Sequence, residues 1–335
     1  MSAEALRAQG FWRDRNVLVT GATGFLGGWV VRALREAGAT VTALVRDMRA
    51  DFNTLGDPLS EPRFIVYGSL ADPDLLRRAV AEYEVDTVFH LAAQPIVGVA
   101  YKDPVGTFEA NIRGTWNLLE ACRQVGGVDR IVVASSDKAY GTSATLPYTE
   151  DMALNGTHPY DVSKSCTDLI CRTYFETYAL PVCITRAGNF YGGGDLNFSR
   201  IVPGSIRLAL QGRPPELRSD GTMVRDYIYV RDVADGYLTI AERMHEPEVA
   251  GEAFNLSSET PVSVLDLTRT ILAAAGREDL EPVILNTAKA EIQEQFLSGE
   301  KAARVLGWRP AHDLRSALEE TVRWYAAYLE RHPHD

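Results

Sequence analysis

Asn16–Thr20 (NVLVT) is a short apolar run rich in β-branched residues. It leads directly into Gly21-Ala22-Thr23-Gly24-Phe25-Leu26-Gly27, and residues 25–37 then carry helical spacing that stops at Gly38. A strand, a glycine turn and a helix in immediate succession open a βαβ unit, whose strands pair in parallel. The three glycines have separable tasks. Gly21 permits the tight turn, Gly24 lets the backbone approach a bound group, and Gly27 lets the helix pack close to the strand. The free N–H groups and positive dipole end of the helix then face an anion, and the pyrophosphate of a dinucleotide fits that cradle. The spacing is GxxGxxG instead of the commoner GxGxxG. Thr23, Phe25 and Leu26 join the glycines as candidate cofactor contacts.

The pattern repeats along the first half. Strand-like runs at 41–45, 64–66, 87–91, 130–134 and 182–185 alternate with helical patterns at 75–84, 104–124 and 160–178. This alternation predicts an α/β fold: a Rossmann-like doubly wound parallel sheet covered by helices on both faces. After the loop signal Gly192-Gly193-Gly194-Asp195 the character changes to helices at 199–211, 230–244, 264–275 and 314–329, with only short strand candidates. The expected division is a dinucleotide-binding domain over residues 1–187 and a smaller, mixed α/β substrate domain over 188–335. The two are expected to pack intimately, with some later segments returning to the first.

Composition narrows the partners. The 335 residues are 46% hydrophobic, ample for a core. With 34 Lys and Arg against 45 Asp and Glu, the net charge of −11 offers no basic surface to nucleic acid or an anionic membrane. No run approaches the roughly 20 apolar residues of a membrane span. The opening MSAEALRAQGFWRDRN lacks the apolar stretch of a secretion signal, so a cytoplasmic location is expected. Cys122, Cys166, Cys171 and Cys183 show neither CxxC spacing nor a His cluster; they read as small buried hydrophobes, and no metal site is expected.

The strand at 41–45 ends in Arg46-Asp47. Asp47 can accept from an adenosine ribose hydroxyl, which favours NAD; Arg46 can meet a 2′-phosphate, which favours NADP; or the two form a solvated loop. Further along, Tyr160-Asp161-Val162-Ser163-Lys164 opens a helix behind Pro159, and Tyr160 and Lys164 share a face at i,i+4. A free phenol titrates near 10 and is a poor base. An ammonium one turn away and an oxidised nicotinamide ring would lower that value, so that a tyrosinate takes a carbinol proton while hydride leaves. Alone, YxxxK also describes a surface tyrosine beside a surface lysine. Ser135-Ser136-Asp137-Lys138 gives it company at the end of the strand 130–134, where open parallel sheets form their crevice. A serine there hydrogen-bonds a reacting hydroxyl, and Asp137 and Lys138 add an acid/base pair.

In order along residues 11–330, TGATGFLG, HLAA at 90–93, SSDKAYG at 135–141, YDVSK at 160–164, RAGNFYGGGD at 186–195, VRDYIYVRD at 224–232 and LGWRP at 306–310 resemble the extended short-chain dehydrogenase/reductases. Most members of that branch rework nucleotide-diphosphate sugars with tightly held NAD. The resemblance implies further cofactor contacts at Ser69, Leu70, Leu91, Ala92, Ala93, Gln94, Asn111 and Ser135, beside Tyr160 and Lys164. It implies substrate contacts at Gln94, Ser136, Asn189, Arg200 and Arg225, where arginine suits forked contacts with a diphosphate. Asn111 is expected to brace the active-site backbone or a water, and His90 to end a buried strand.

The pair after Ser136 separates branches of the family. Asp-Lys resembles the CDP-glucose 4,6-dehydratases and the inverting UDP-N-acetylglucosamine dehydratases, whereas similar 4-epimerases carry small or neutral residues there. Phe11-Trp12 and Ala93-Gln94-Pro95 also resemble the CDP-glucose branch. The expected activity is therefore NDP-sugar 4,6-dehydration of a CDP-glucose-like substrate through bound NAD, with 4-epimerisation the alternative. Tyr160, Lys164, Ser136, Asp137 and Lys138 are its expected catalytic residues. Asp137 would protonate the departing C6 hydroxyl. Lys138 would remove the C5 proton, directly or through a water, or stay charged and stabilise the enolate. A homodimer through the helices near 104–124 and 160–178 is expected by analogy.

Overall fold

The computed structural model describes Arg7 and residues 10–47, 52–287 and 292–332. Its first half folds into β1 (Asn16–Thr20), α1 (Phe25–Glu36), β2 (Thr40–Val45), β3 (Phe64–Tyr67), α2 (Pro73–Glu82), β4 (Thr87–His90), α3 (Val97–Lys102), α4 (Pro104–Phe108), α5 (Gly114–Val125), β5 (Arg130–Ala134), α6 (Pro159–Tyr178) and β6 (Val182–Ala187). The second half adds β7 (Asn189–Tyr191), α7 (Ile201–Leu210), β8 (Glu216–Leu217), β9 (Val224–Arg225), β10 (Tyr227–Tyr229), α8 (Val230–Arg243), β11 (Ala253–Leu256), β12 (Val262–Ser263), α9 (Val264–Ala274), β13 (Val283–Ile284), β14 (Glu294–Gln295) and α10 (Leu314–Arg331).

Seven strands pair in the order β11-β6-β5-β4-β1-β2-β3, and every ladder is parallel. Successive side chains serve opposite faces. Val17 and Val19 enter one core with Val30 and Leu34 of α1, while Leu18 enters the other with Leu76, Leu118 and Leu119. Burial on both faces explains why β1 reads as an unbroken apolar run. The strand order reverses between β1 and β4, and a doubly wound sheet opens its ligand crevice at that switch point. This is the Rossmann-like architecture expected from the alternation.

Three features depart from the local reading. The helix expected over 104–124 is broken: α4 passes into a wider π turn at Glu109–Arg113 before α5 begins. Such turns recur at functional sites, and this one carries Asn111. The short helix α3 had no clear period in the sequence. β11 comes from late in the chain yet joins the first sheet beside β6, and α8 packs into the same core as α1. The remaining short strands form three small sheets, β10-β7, β12-β9-β14 and β13-β8, around the open end of the crevice. Among the described residues, no helix is long and apolar enough to cross a membrane.

Candidate active site

A cavity of about 1320 Å³ lies beyond the carboxyl ends of the central strands. Single-ligand pockets run to roughly 1,000 Å³, so this one has room for a dinucleotide and a second ligand together. The glycine turn forms one wall. Gly21 has φ +74°, and a Cβ on it would stand 2.7 Å from the Ala92 nitrogen. A Cβ on Gly27 would stand 2.0 Å from the Gly21 oxygen, so neither position tolerates a side chain. Gly24 caps α1 with no side-chain bond, which leaves the first amides of the helix open to a ligand. Thr23, Phe25, Leu26, Arg46, Asp47, Ser69, Leu70, Leu91, Ala92, Ala93, Gln94 and Ser135 line the same cavity. A glycine cradle against an uncapped helix start suits the pyrophosphate of a dinucleotide.

Asn111 is not among the lining residues. It is buried, its Oδ1 accepts from the Gln94 amide at 2.7 Å, and its Nδ2 donates to the Gln94 carbonyl at 3.1 Å and to Ser163 Oγ at 2.9 Å. It braces the cofactor wall from behind. The Gln94 side chain is itself engaged, with Oε1 accepting from Ile96 N at 2.7 Å and Nε2 donating to Thr107 Oγ1 at 3.0 Å. With Nε2 also donating to the Ile96 carbonyl at 3.2 Å, both amide donors close a turn, and Oε1 keeps one acceptor position. His90 sits below the floor between Thr20 Oγ1 at 2.8 Å and Thr115 Oγ1 at 3.0 Å, and burial pushes its pKa down to about 3. It is a neutral brace.

Ser136, Asp137, Lys138, Tyr160 and Lys164 all line the cavity. Ser136 caps the turn Asp137–Tyr140, accepting from Lys138 N at 3.2 Å and donating to Asp137 Oδ1 at 2.9 Å. That turn projects Asp137 and Lys138 from the end of β5. Tyr160 lies in the first turn of α6, and burial pushes its phenol up to about 12 against an opposing hydrogen bond from Ser136. Lys164 donates to the Ala134 carbonyl at 2.8 Å and stands 6.0 Å from the Tyr160 ring centroid; burial pulls its ammonium down to about 8. The tyrosine acidified by its lysine, as the spacing implies, is thus not achieved by protein groups alone. Desolvation outweighs them.

On the opposite wall Asn189, Arg200 and Arg225 line the cavity. Arg200 pairs with Asp195 at 3.0 Å, and Arg225 donates to the carbonyls of Val224 at 2.8 Å and Ile292 at 2.5 Å. Both guanidiniums are held in place by neighbours that leave their charge near the cavity. Three residues had not been assigned roles. Asp161 follows Tyr160, and burial raises its carboxyl above the usual range. Asp226, within VRDYIYVRD, accepts from Ser258 N at 3.1 Å through Oδ1, while its buried Oδ2 lacks a partner. Burial and the nearby Asp137 raise its pKa too. Both lie inside motifs already singled out. Gln295, which meets Lys138 Nζ, had no signal at all. Behind the site, Asp168 on α6 accepts from Ser135 Oγ and from Arg186 Nε at 2.9 Å and Nη2 at 2.6 Å, tying β5, α6 and β6 together.

Known proteins resemble this chain in sequence and in fold. A trifunctional UDP-glucose 4,6-dehydratase/UDP-4-keto-6-deoxy-D-glucose 3,5-epimerase/UDP-4-keto-L-rhamnose-reductase of Arabidopsis thaliana is 30% identical over 322 residues, 94% of this chain and 47% of that protein. The chain thus spans about half the length of that relative. The CDP-glucose 4,6-dehydratase of Salmonella typhimurium is 29% identical, over 95% of this chain and 92% of that protein. Among solved structures, the dTDP-glucose 4,6-dehydratase of Streptomyces venezuelae with NAD bound superposes with a TM-score of 0.82 at 30% identity, covering 94% of this chain and 98% of that one. The UDP-glucose 4-epimerase of Thermotoga maritima with UDP-glucose superposes with a TM-score of 0.84 at 28% identity, covering 94% and 99%. The family model matched by residues 17–257 spans the glycine cradle, the Ser136 turn, the Tyr160–Lys164 helix and the strand that returns to the sheet, and the chain belongs to the NAD dependent epimerase/dehydratase family.

Proposed function

We propose that this chain is an NAD-dependent NDP-sugar 4,6-dehydratase that converts an NDP-hexose, CDP-glucose-like, to its 4-keto-6-deoxy sugar. The observation that carries the reading is the Asp137–Lys138 pair in one cavity with Ser136, Tyr160 and Lys164. An epimerase inverts C4 through the ketone and needs no acid for a leaving hydroxyl; a dehydratase needs both an acid and a base. Bound NAD supplies a hydride acceptor and donor and a cationic ring. Arg46 and Asp47 both border the cavity, so NADP is the competing cofactor.

The chain's own groups handle the protons. Tyr160 receives the C4 hydroxyl proton, with Ser136 hydrogen-bonded to the same oxygen. Because burial holds the phenol near 12, this transfer needs the cation that the cofactor brings. Lys164, anchored on Ala134, keeps the phenolate's counter-charge within the site. The 4-ketone acidifies the C5–H bond. Asp137 then gives its proton to the C6 hydroxyl, which departs as water, while Lys138 takes the C5 proton; the hydride that bound NAD would hold would return to C6 and Lys138 would give a proton back to C5, which completes the 4-keto-6-deoxy sugar. Arg200 and Arg225 bind the diphosphate. Residues 1–187 hold the cofactor and the groups that act on the sugar, and 188–335 hold the nucleotide-diphosphate end while sending β11 and α8 back to the first sheet.

Relatives of both kinds, dehydratase and 4-epimerase, make 4-epimerisation the second reading. The test is product analysis by mass spectrometry and NMR after incubation with CDP-, UDP-, dTDP- and GDP-hexoses, with NAD or NADP. Loss of one water and a new 4-ketone from one nucleotide supports dehydration and names the substrate; unchanged mass with inverted C4 refutes it. A homodimer through α4, α5 and α6 belongs to the same proposal. Val105, Trp116 and Leu169 on those helices are 68%, 42% and 58% exposed. Such an apolar surface needs a cover. Leu169→Glu is expected to yield monomers in light scattering, and an unchanged mass refutes the interface.

A further inference from the structure

Lys138 reaches from the turn after β5, and its Nζ donates to Oε1 of Gln295 on β14, 157 residues away. Gln295 is 1% exposed, and its Nε2 is buried without a hydrogen-bond partner. Burying an amide donor unpaired lowers stability, and a methionine of similar volume would fill the space without that loss. Strand pairing does not require the side chain, because β14 meets β9 through its backbone with Gln295 opposite Arg225. Among the described residues, the one hydrogen bond of the Gln295 side chain goes to Lys138. A destabilising group kept for a single contact with a cavity-lining amine is the mark of a residue retained for function.

We infer that Gln295 is a positioning residue: it holds the Lys138 amine in place for the elimination half of the reaction. The inference rests on the dehydratase reading. In that half, the C5–H bond breaks and its proton passes to the neutral Lys138 amine. The freed electron pair forms the C5–C6 double bond as the C6–O bond breaks, and the hydroxyl leaves as water with the proton of Asp137. A carboxamide suits the task. Two acids, Asp137 beside Lys138 and Asp161 on α6, already stand around it. A neutral acceptor fixes the amine's position without adding a third carboxylate.

The test uses NAD-loaded enzyme, the NDP-hexose that the wild type dehydrates, and the variants Gln295→Met and Gln295→Glu. Three quantities are read: C4 oxidation from the absorbance of reduced nicotinamide, elimination from water loss and deuterium incorporated at C5 in heavy water, and the melting temperature. Gln295→Met is expected to slow elimination about 100-fold, the scale of a misplaced catalytic group, while C4 oxidation keeps its wild-type rate. It should melt at or above the wild type, because the orphaned donor is gone. Gln295→Glu restores an acceptor at the same reach but adds a third carboxylate, which favours the protonated amine, so it should recover elimination in part and more fully as the pH is raised. Wild-type elimination in Gln295→Met, an equal fall in both halves, or a lowered melting temperature overturns the inference. A wild-type enzyme that only epimerises refutes the dehydratase reading before any variant is made; unaltered elimination in Gln295→Met refutes the positioning role alone.

Discussion

Asp168→Asn should be among the most damaging single changes outside the cavity. The Asp168 and Arg186 side chains are 2% and 7% exposed, and the carboxylate takes the Nε and Nη2 of Arg186 together with Ser135 Oγ. An asparagine leaves the guanidinium buried and uncompensated, which costs about 3–5 kcal/mol when one partner of a buried pair is removed. At roughly 1.4 kcal/mol per factor of ten, the unfolding constant rises by about 10²–10⁴. Urea denaturation is expected to report a lower midpoint with an unchanged slope. The control is Asp168→Leu with Arg186→Met, which removes both charges and replaces them by apolar volume. That exchange is often close to neutral, less about 1 kcal/mol for each partner stranded at Ser135 and at Tyr140, which Arg186 Nη1 meets at 2.8 Å. A double-mutant cycle should therefore give a coupling of at least about 2 kcal/mol. A loss under about 1 kcal/mol in Asp168→Asn, or a double variant as unstable as the sum of its singles, refutes the reasoning. Turnover should fall as well, since Ser135 precedes Ser136 and Asp168 lies one turn beyond Lys164.

Gly27→Ala should abolish NAD binding measured by calorimetry, because its Cβ would stand 2.0 Å from the Gly21 oxygen and α1 would have to withdraw; a wild-type Kd contradicts the packing argument. Tyr160, pushed to about 12 by burial, should titrate lower once oxidised NAD is added, as a cation favours phenolate; ultraviolet difference titration against Tyr160→Phe reads the shift, and a value unmoved by NAD removes the proposed activation. For His90 the folded pKa of about 3 lies below the unfolded 6.5, so the unfolded chain binds the extra proton between those values. Its contribution is complete above pH 6.5 and falls by about 1.4 kcal/mol per pH unit within the window; His90→Gln should flatten the stability profile there, and parallel profiles exclude a buried neutral histidine. Asp137→Asn should stop water loss while sparing C4 oxidation; equal loss of both removes its role as leaving-group acid.

The sheet was legible because its signals are local. Each strand of the first half carries its own β-branched run, and each helix its own period, so β1, α1, β5 and α6 fall within a residue or two of where their patterns place them. The cavity wall was legible for the same reason. The Ser136 turn and the Tyr160–Lys164 pair lie within single short motifs, and backbone geometry alone brings each group together. Where local reading stopped, distant chain segments had taken over. The period over 104–124 is continuous, yet packing inserts a π turn that aims Asn111 at the Gln94 backbone. Gln94 looks free in its motif, yet Ile96 and Thr107 occupy its amide.

By itself, then, the sequence determined a parallel α/β sheet, a glycine cradle that admits no Cβ, and the grouping of Ser136, Asp137, Lys138, Tyr160 and Lys164 at strand and helix ends, because spacing along one element controls which side chains share a face. The tertiary structure alone decided that β11 closes the sheet, that Arg186 neutralises Asp168 and that Gln295 meets Lys138. Those contacts join segments whose separation in the chain carries no periodic signal, and they exist only once the backbone has brought both ends together, where for a pair such as Asp168 and Arg186 a buried charge left unpaired is costly.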